Sequence, residues 1–230
     1  THLPGDADTT HFSTENASGS TSQAASLIES IQLGSTLLLI DEDTSATNLM
    51  IRDARMRELV QADKEPITPL VDRISSLHKD LGVSTILVMG GSGDYLDQAD
   101  RVLMMDHYRC LDVSDRARQV VDKLPRAHQN LTMSAPLARC APARLHSSDR
   151  PKTKAAGLSS ITIDKINLDL GDVEQIVDPG QTEAIAWMLR GLLYSYANGT
   201  SSLSDLLARL ERTLNSEGLD AVVKFGAHAL

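Results

Sequence analysis

Only two cysteines, Cys110 and Cys140, occur in 230 residues. They supply no disulfide framework, which excludes a cystine-stapled secreted scaffold and fits a reducing compartment. Aromatic residues make up 3% of the chain, so a surface of stacked rings is short of material. No apolar run approaches the ~18 residues that a membrane-spanning helix needs, and no basic segment followed by an apolar stretch opens the chain. The expectation is a soluble, intracellular protein of the cytoplasm or an organellar matrix. Position 1 is Thr rather than Met, which suggests a fragment or a processed product. The seven histidines show no metal-ligand spacing with Cys or carboxylates, so no zinc-type site is expected.

What is present is a chain with 41% hydrophobic residues, enough for a sizeable core, and a net charge of −9. The charge is unevenly spread: residues 1–125 carry −9, residues 126–160 carry +5, and residues 161–230 carry −5. The middle stretch also holds Pro136, Pro142 and Pro151 among Ser, Ala and Arg, with little periodicity. It reads as a linker, which sets domains at 1–125 and 161–230. Its basic residues Arg126, Arg139, Arg144, Arg150, Lys152 and Lys154 also allow contact with RNA or another polyanion. No aromatic residue interleaves them, so a solvated linker is the first reading and polyanion binding the second.

The spacing of apolar residues predicts a helix over 23–32, then a buried-type strand over 36–40. Helices follow at 53–61 and 69–81, the second ended by Gly82, then a strand at 84–89 running into Gly90, Gly91, Ser92 and Gly93. A short helix at 95–99 and a third strand at 101–105 complete the grammar of a parallel α/β sheet. In the last domain, alternating apolar residues over 161–170 predict a hairpin whose phase slips near Lys165, as a bulge would make it. Helices are expected at 181–197, entered through Asp178-Pro179-Gly180, and at 202–215, capped by Ser202. Trp187 is expected in the core or at an interface.

Ligands of open α/β sheets bind beyond the carboxyl ends of the strands. Asp41 and Glu42 follow the first strand there, and the glycine loop follows the second. An apolar strand ending in two carboxylates suits nucleotide hydrolysis: the first is held near Mg²⁺ and the second is aimed at an attacking water. Ser18-Gly19-Ser20-Thr21 stands 23 residues before Asp41 and resembles the signature turn of ABC ATPases. Asp43-Thr44-Ser45-Ala46-Thr47-Asn48 resembles the D-loop of that family. Thr85-Ile86-Leu87-Val88 and Gln98-Ala99-Asp100-Arg101-Val102 are similar to the strands on either side of its switch histidine. The closer resemblance is to a divergent family of ABC-class P-loop ATPases, carried by the runs Phe12-Ser13-Thr14-Glu15-Asn16-Ala17-Ser18-Gly19-Ser20-Thr21, Ile40 to Asn48 and Val88 to Tyr95 and strong over residues 1–125. It extends more weakly to Val173-Glu174-Gln175-Ile176-Val177-Asp178 and to Gln181-Thr182.

The resemblance implies an α/β fold: an ABC-like P-loop ATPase part with a parallel sheet, followed by a small α+β carboxyl-terminal domain. It implies ATP hydrolysis with Mg²⁺ as cofactor, in a nucleotide-dependent homodimer that is not itself a transporter. Asp41 would hold the metal and Glu42 would orient or deprotonate water. Ser18, Gly19, Ser20 and Thr21 would meet the γ-phosphate of ATP held by a partner half. Residues 45–48 would couple the two subunits. The pattern also departs from the family. No G-x-x-x-x-G-K-[ST] occurs, so the chain resembles the carboxyl-terminal part of such an ATPase, with the P-loop part as its missing partner. Gly90 or Ser92 stands where the switch histidine is expected; with Gly91, they would offer N–H or hydroxyl donors to phosphate. Ser20 replaces the second signature glycine. The alternative function is a nucleotide-gated RNA- or polyanion-binding module with slow or no hydrolysis, and a third is an assembly scaffold built on the last helices.

Overall fold

The computed structural model describes residues 13–14, 16–60, 64, 66–126, 129–143 and 152–226. Phe12, Glu15, Gln61, Arg144 and Arg150, each part of an expectation above, lie outside them. The chain divides into two compact units, residues 1–136 and 137–230.

In the first unit, α1 (Gly19–Gln32) starts four residues earlier than its apolar periodicity suggests. Ser18 caps it, accepting the Thr21 N–H at 3.4 Å, so the polar residues 18–21 form the start of the helix rather than a loop before it. Strand β1 (Leu37–Asp41) follows, then two short helices, α2 (Thr47–Met50) and α3 (Ala54–Leu59). A 3₁₀ turn at Leu70–Asp72 leads into α4 (Ile74–Leu81), which Gly82 ends in the left-handed conformation at φ 68°. Strand β2 (Ser84–Val88) runs parallel to β1, with Leu39 opposite Ile86 and Asp41 opposite Val88. The core joins Leu38 of β1, Met50, Leu70, Val71, Leu77, Val83 and Tyr95, with Leu27 and Ile31 of α1 against it.

Three expectations for this unit need correction. The short helix at 95–99 is a pair of turns, Leu96 N–H to Gly93 O and Gln98 N–H to Tyr95 O, with no helical ladder. The third strand does not extend the parallel sheet, which has two strands among the described residues. It is β3 (Leu103–Asp106), antiparallel to β4 (Arg109–Asp112), around a two-residue turn in which His107 and Tyr108 take φ of 46° and 61°. Helix α5 (Ser114–Lys123) follows. Nor is the parallel sheet covered on both faces: Leu37, Leu39, Ile86 and Val88 share a face and are exposed, Leu39 to 73%.

The second unit is α+β. Strands β5 (Thr153–Ala156), β6 (Ser160–Ile163) and β7 (Ile166–Asp169) form an antiparallel meander. Residues 153–156 therefore pair in a sheet although their composition reads as linker. The phase slip near Lys165 is not a bulge. It is the hairpin turn itself, which pairs Ile163 with Ile166 and puts Asp164 at φ 56°.

Helix α6 (Pro179–Gly191) begins with a capping box, Asp178 with Gln181, and with Pro in its first turn. It continues into a π turn at Leu192–Tyr196. Its Ala186 packs on Ile161 and Ile163. Helix α7 (Leu203–Glu217), capped by Ser202 and Asp205, and a 3₁₀ segment at Leu219–Phe225 add Leu206, Leu210, Val222 and Phe225 as a second cluster around Leu192. Trp187 borders that cluster, donates its indole N–H to Glu183 at 2.6 Å and carries Arg190 over its ring. A Cβ on Gly191 would lie 2.6 Å from the Phe225 ring, which is why the helix places glycine there.

Candidate functional site at the ends of strands β1 and β2

Parallel pairing at Asp41 and Val88 delivers two chain ends to the same edge of the sheet. Glu42 N–H donates to Val88 O at 3.0 Å, extending the ladder by one bond. Beyond it, Glu42 turns its side chain across to the second loop. Its Oε2 accepts the N–H groups of Gly90 and Gly91, each at 2.9 Å, and of Ser92 at 3.4 Å. The structure thus brings together Glu42, Gly90, Gly91 and Ser92. It also shows that the donors expected to meet phosphate are here directed at a carboxylate. The loop has no steric need of glycine at either position, since a Cβ would meet Asp43 at 3.8 Å and Glu42 at 3.6 Å, ordinary contact distances.

These bonds favour the charged form, so Glu42 is held below the ordinary glutamate range, chiefly by the Gly91 N–H and then by Gly90. The sign follows: with the folded value lowered, the clamp is intact above the ordinary value of about 4.3 and is lost as pH falls through the lowered one. Amide exchange at Gly90 and Gly91, corrected for intrinsic rates, is expected to stay protected through the ordinary glutamate range and to lose that protection only as pH falls through the lowered Glu42 value. Equal protection on both sides of that value would show that Glu42 does not hold the loop.

Asp41 is exposed; its Oδ1 accepts the Asp43 N–H at 3.1 Å. Among the described residues no group of three His, Cys, Asp or Glu is placed to hold a cation. A single exposed carboxylate nonetheless suits Mg²⁺, which keeps much of its water and takes its other ligands from phosphate.

Ser18, Gly19, Ser20 and Thr21 sit at the start of α1, where the Ser18 hydroxyl lies 2.9 Å from that of Thr21 and 3.3 Å from that of Ser20. The first turn of a 14-residue helix offers N–H groups and the positive end of its dipole to an anion. Further along α1, Gln23 bonds Ser45 and Ala46 in the turn after Asp41, each at 2.8 Å. Tyr95, buried, donates its hydroxyl to Met50 O at 2.6 Å. Burial, with the Glu42 charge adding to it, pushes its phenol up, so it remains a donor. Gln23 is marked by no sequence motif, and Tyr95 only as the last residue of the 88–95 run. A glutamine in a polar helix and a tyrosine after a glycine loop carry no spacing signal.

Arg126 is paired with Asp94. The segment 129–133 is bound to its own unit through Gln129 N–H to Asp72 at 3.1 Å, Arg73 to Thr132 O at 2.8 Å, and Met133 N–H to Ser76 at 2.6 Å. Among the described residues, no helix is long and apolar enough to cross a membrane.

A family model described as the MRB1590 C-terminal domain matches residues 152–230. No curated protein matches the chain. The model of the ABC ATPase P-loop domain matches residues 1–140 of the 230, the stretch that carries Ser18, Asp41, Glu42 and the Gly90 loop, and the chain belongs to that family of P-loop ATPases.

Proposed function

We propose that this chain is the signature and carboxylate-bearing part of an ATP-hydrolysing module that works by nucleotide-gated dimerisation. The observation that carries this is the Glu42 carboxylate, at the carboxyl end of a parallel strand, facing the Gly90, Gly91 and Ser92 N–H groups at the end of the neighbouring strand. Asp41 would hold Mg²⁺, which when bound screens phosphate charge. Glu42 takes a proton from the attacking water. A carboxylate held by three N–H groups with a lowered pKa is a weak base, so Glu42 becomes effective only when the loop releases it. The freed N–H groups are then available to phosphate oxygens. Ser18, Ser20, Thr21 and the α1 N–H groups contact the γ-phosphate of ATP bound on the other copy, which makes closure of the dimer depend on nucleotide.

ATP titrations of the 230-residue chain with and without Mg²⁺ test the metal and nucleotide roles. With no phosphate-cradling loop in its sequence, the chain alone is expected to bind Mg-ATP weakly and to turn over none. Asp41→Asn is expected to remove the Mg²⁺-dependent part of that binding. Binding indifferent to Mg²⁺ in both proteins, or no binding at all, would end this assignment.

A further inference from the structure

Gln23 makes two bonds out of α1. Its Oε1 accepts the Ala46 N–H and its Nε2 donates to the Ser45 hydroxyl, both at 2.8 Å. The Ser45 hydroxyl has one proton, and it goes to the Asp41 carbonyl oxygen at 2.6 Å. A backbone N–H can only donate, and a hydroxyl whose proton is committed can only accept. The side chain at position 23 must therefore present an acceptor to Ala46 and a donor to Ser45 at the same time. Ionised Glu has no donor, Lys has no acceptor, and Met has neither of useful strength; among side chains of this length only Gln supplies both.

The chain of bonds ends on the peptide unit that joins Asp41 to Glu42. The carbonyl of that unit is held by Ser45, with the Thr44 hydroxyl at 3.4 Å, and its N–H is held by Val88 O at 3.0 Å. The plane of that peptide sets the direction of the Glu42 side chain. One end is fixed by the sheet and the other, through Ser45, by a side chain of the helix that begins at Ser18.

We propose that Gln23 is a positioning residue for Glu42: through Ser45 it fixes the 41–42 peptide and ties the helix that starts at residues 18–21 to the carboxylate pair. This rests on the reading in which both ends serve ATP. A displacement of α1 by phosphate reaches the strand end carrying Glu42 through three hydrogen bonds, with no change required in the core.

Amide exchange on the 230-residue chain tests it without nucleotide. Gln23→Glu sets a carboxylate against the Ser45 oxygen, and exchange at Ala46, Gly90 and Gly91 is expected to rise roughly fivefold to tenfold, the worth of a lost hydrogen bond. In a Ser45→Ala background the same substitution is expected to change it less than about twofold, since the opposing oxygen is gone. If Gln23 merely stabilised α1, exchange would rise along the whole helix and equally in both backgrounds, and that result would overturn the proposal. Millimolar Mg-ATP then addresses the nucleotide. In the parent chain it is expected to slow exchange at residues 19–21 and also at 43–46, whereas in Gln23→Ala only the first effect survives. Survival of both effects in Gln23→Ala would overturn the positioning role. If Mg-ATP leaves the parent unchanged, the nucleotide assignment fails, and the comparison of the two backgrounds still decides whether Gln23 positions Glu42.

Discussion

Glu42→Gln is expected to lower ATP hydrolysis by about 10² to 10⁴, the usual contribution of a general base, while leaving Mg-ATP binding within a few-fold. The effect is to be read on an ATPase that carries this chain together with a phosphate-binding loop, because the 230-residue chain alone is expected to turn over no ATP. Gln has the size of Glu and keeps an oxygen for the Gly90 and Gly91 N–H groups, 2.9 Å away in the parent, so the loop geometry survives. What is lost is the charge and with it the ability to accept a proton. A protein that closes on ATP and reopens after hydrolysis should then accumulate as an ATP-bound dimer, visible by sizing chromatography with Mg-ATP. Ser18→Arg is expected to remove that dimer by filling the start of α1. Hydrolysis at the parent rate would reduce Glu42 to a strand-end acid that holds a loop. Slow hydrolysis by a protein that stays monomeric would leave the base in place and refute the ATP sandwich.

The second large effect concerns stability. Asp72 is 3% exposed, and its two oxygens receive Arg57 at 2.9 and 3.0 Å, while Oδ1 also accepts Gln129 N–H at 3.1 Å. Its own carbonyl accepts the Leu131 N–H at 2.8 Å. Asp72→Ala leaves a guanidinium and a backbone N–H without their acceptor in a confined place. Removing one partner of a buried pair costs about 3–5 kcal/mol, and the quarter-exposed Arg57 side chain brings the expectation down to about 2–3 kcal/mol. Urea unfolding followed by far-UV circular dichroism reads it. Asp72→Asn, which keeps an acceptor for Gln129, is expected to lose less. Arg57→Met with Asp72→Leu is expected to recover much of the loss, since replacing both partners removes the unpaired charge. A change below about 0.5 kcal/mol for Asp72→Ala would show that the pair behaves as a surface contact.

Asp72 was not legible in the sequence, and neither was Gln23. Their roles come from hydrogen bonds that join residues 15 to 57 positions apart for Asp72, and 22 or 23 for Gln23. No local pattern marks such pairs. What could be read were features written into consecutive residues. The Leu/Ile run before Asp41, Gly82 as a helix stop, Asp178-Pro179 and Ser202 as helix starts, and the alternation of Ile161 and Ile163 each have a short-range physical cause. The misread third strand shows the limit. The run Val102-Leu103-Met104-Met105 has the same composition whether it joins a parallel sheet or folds back on β4. The turn that decides it is His107-Tyr108, without the Asn or Gly that normally announces two left-handed residues. Likewise Thr153–Ala156 looks like linker because two of its four residues are alanine, and its strand forms by pairing with β6.

The distance along the chain between Glu42 and the loop it grips also orders events in time. Those bonds span 48 to 50 residues, and the strands beneath them pair across 47, as Leu39 does with Ile86. Helices such as α1 and α4 close on neighbours within a few positions, whereas β1 and β2 must first find each other across the whole intervening segment, the slow kind of contact in folding. The carboxylate and its three N–H donors therefore first meet only when the parallel pair zips. During synthesis the site is absent until the chain has emerged past Ser92. A substitution that delays the meeting of β1 and β2, such as one at Leu38 or Leu77 in the core beneath them, holds back the reactive end of the molecule without touching any residue in it.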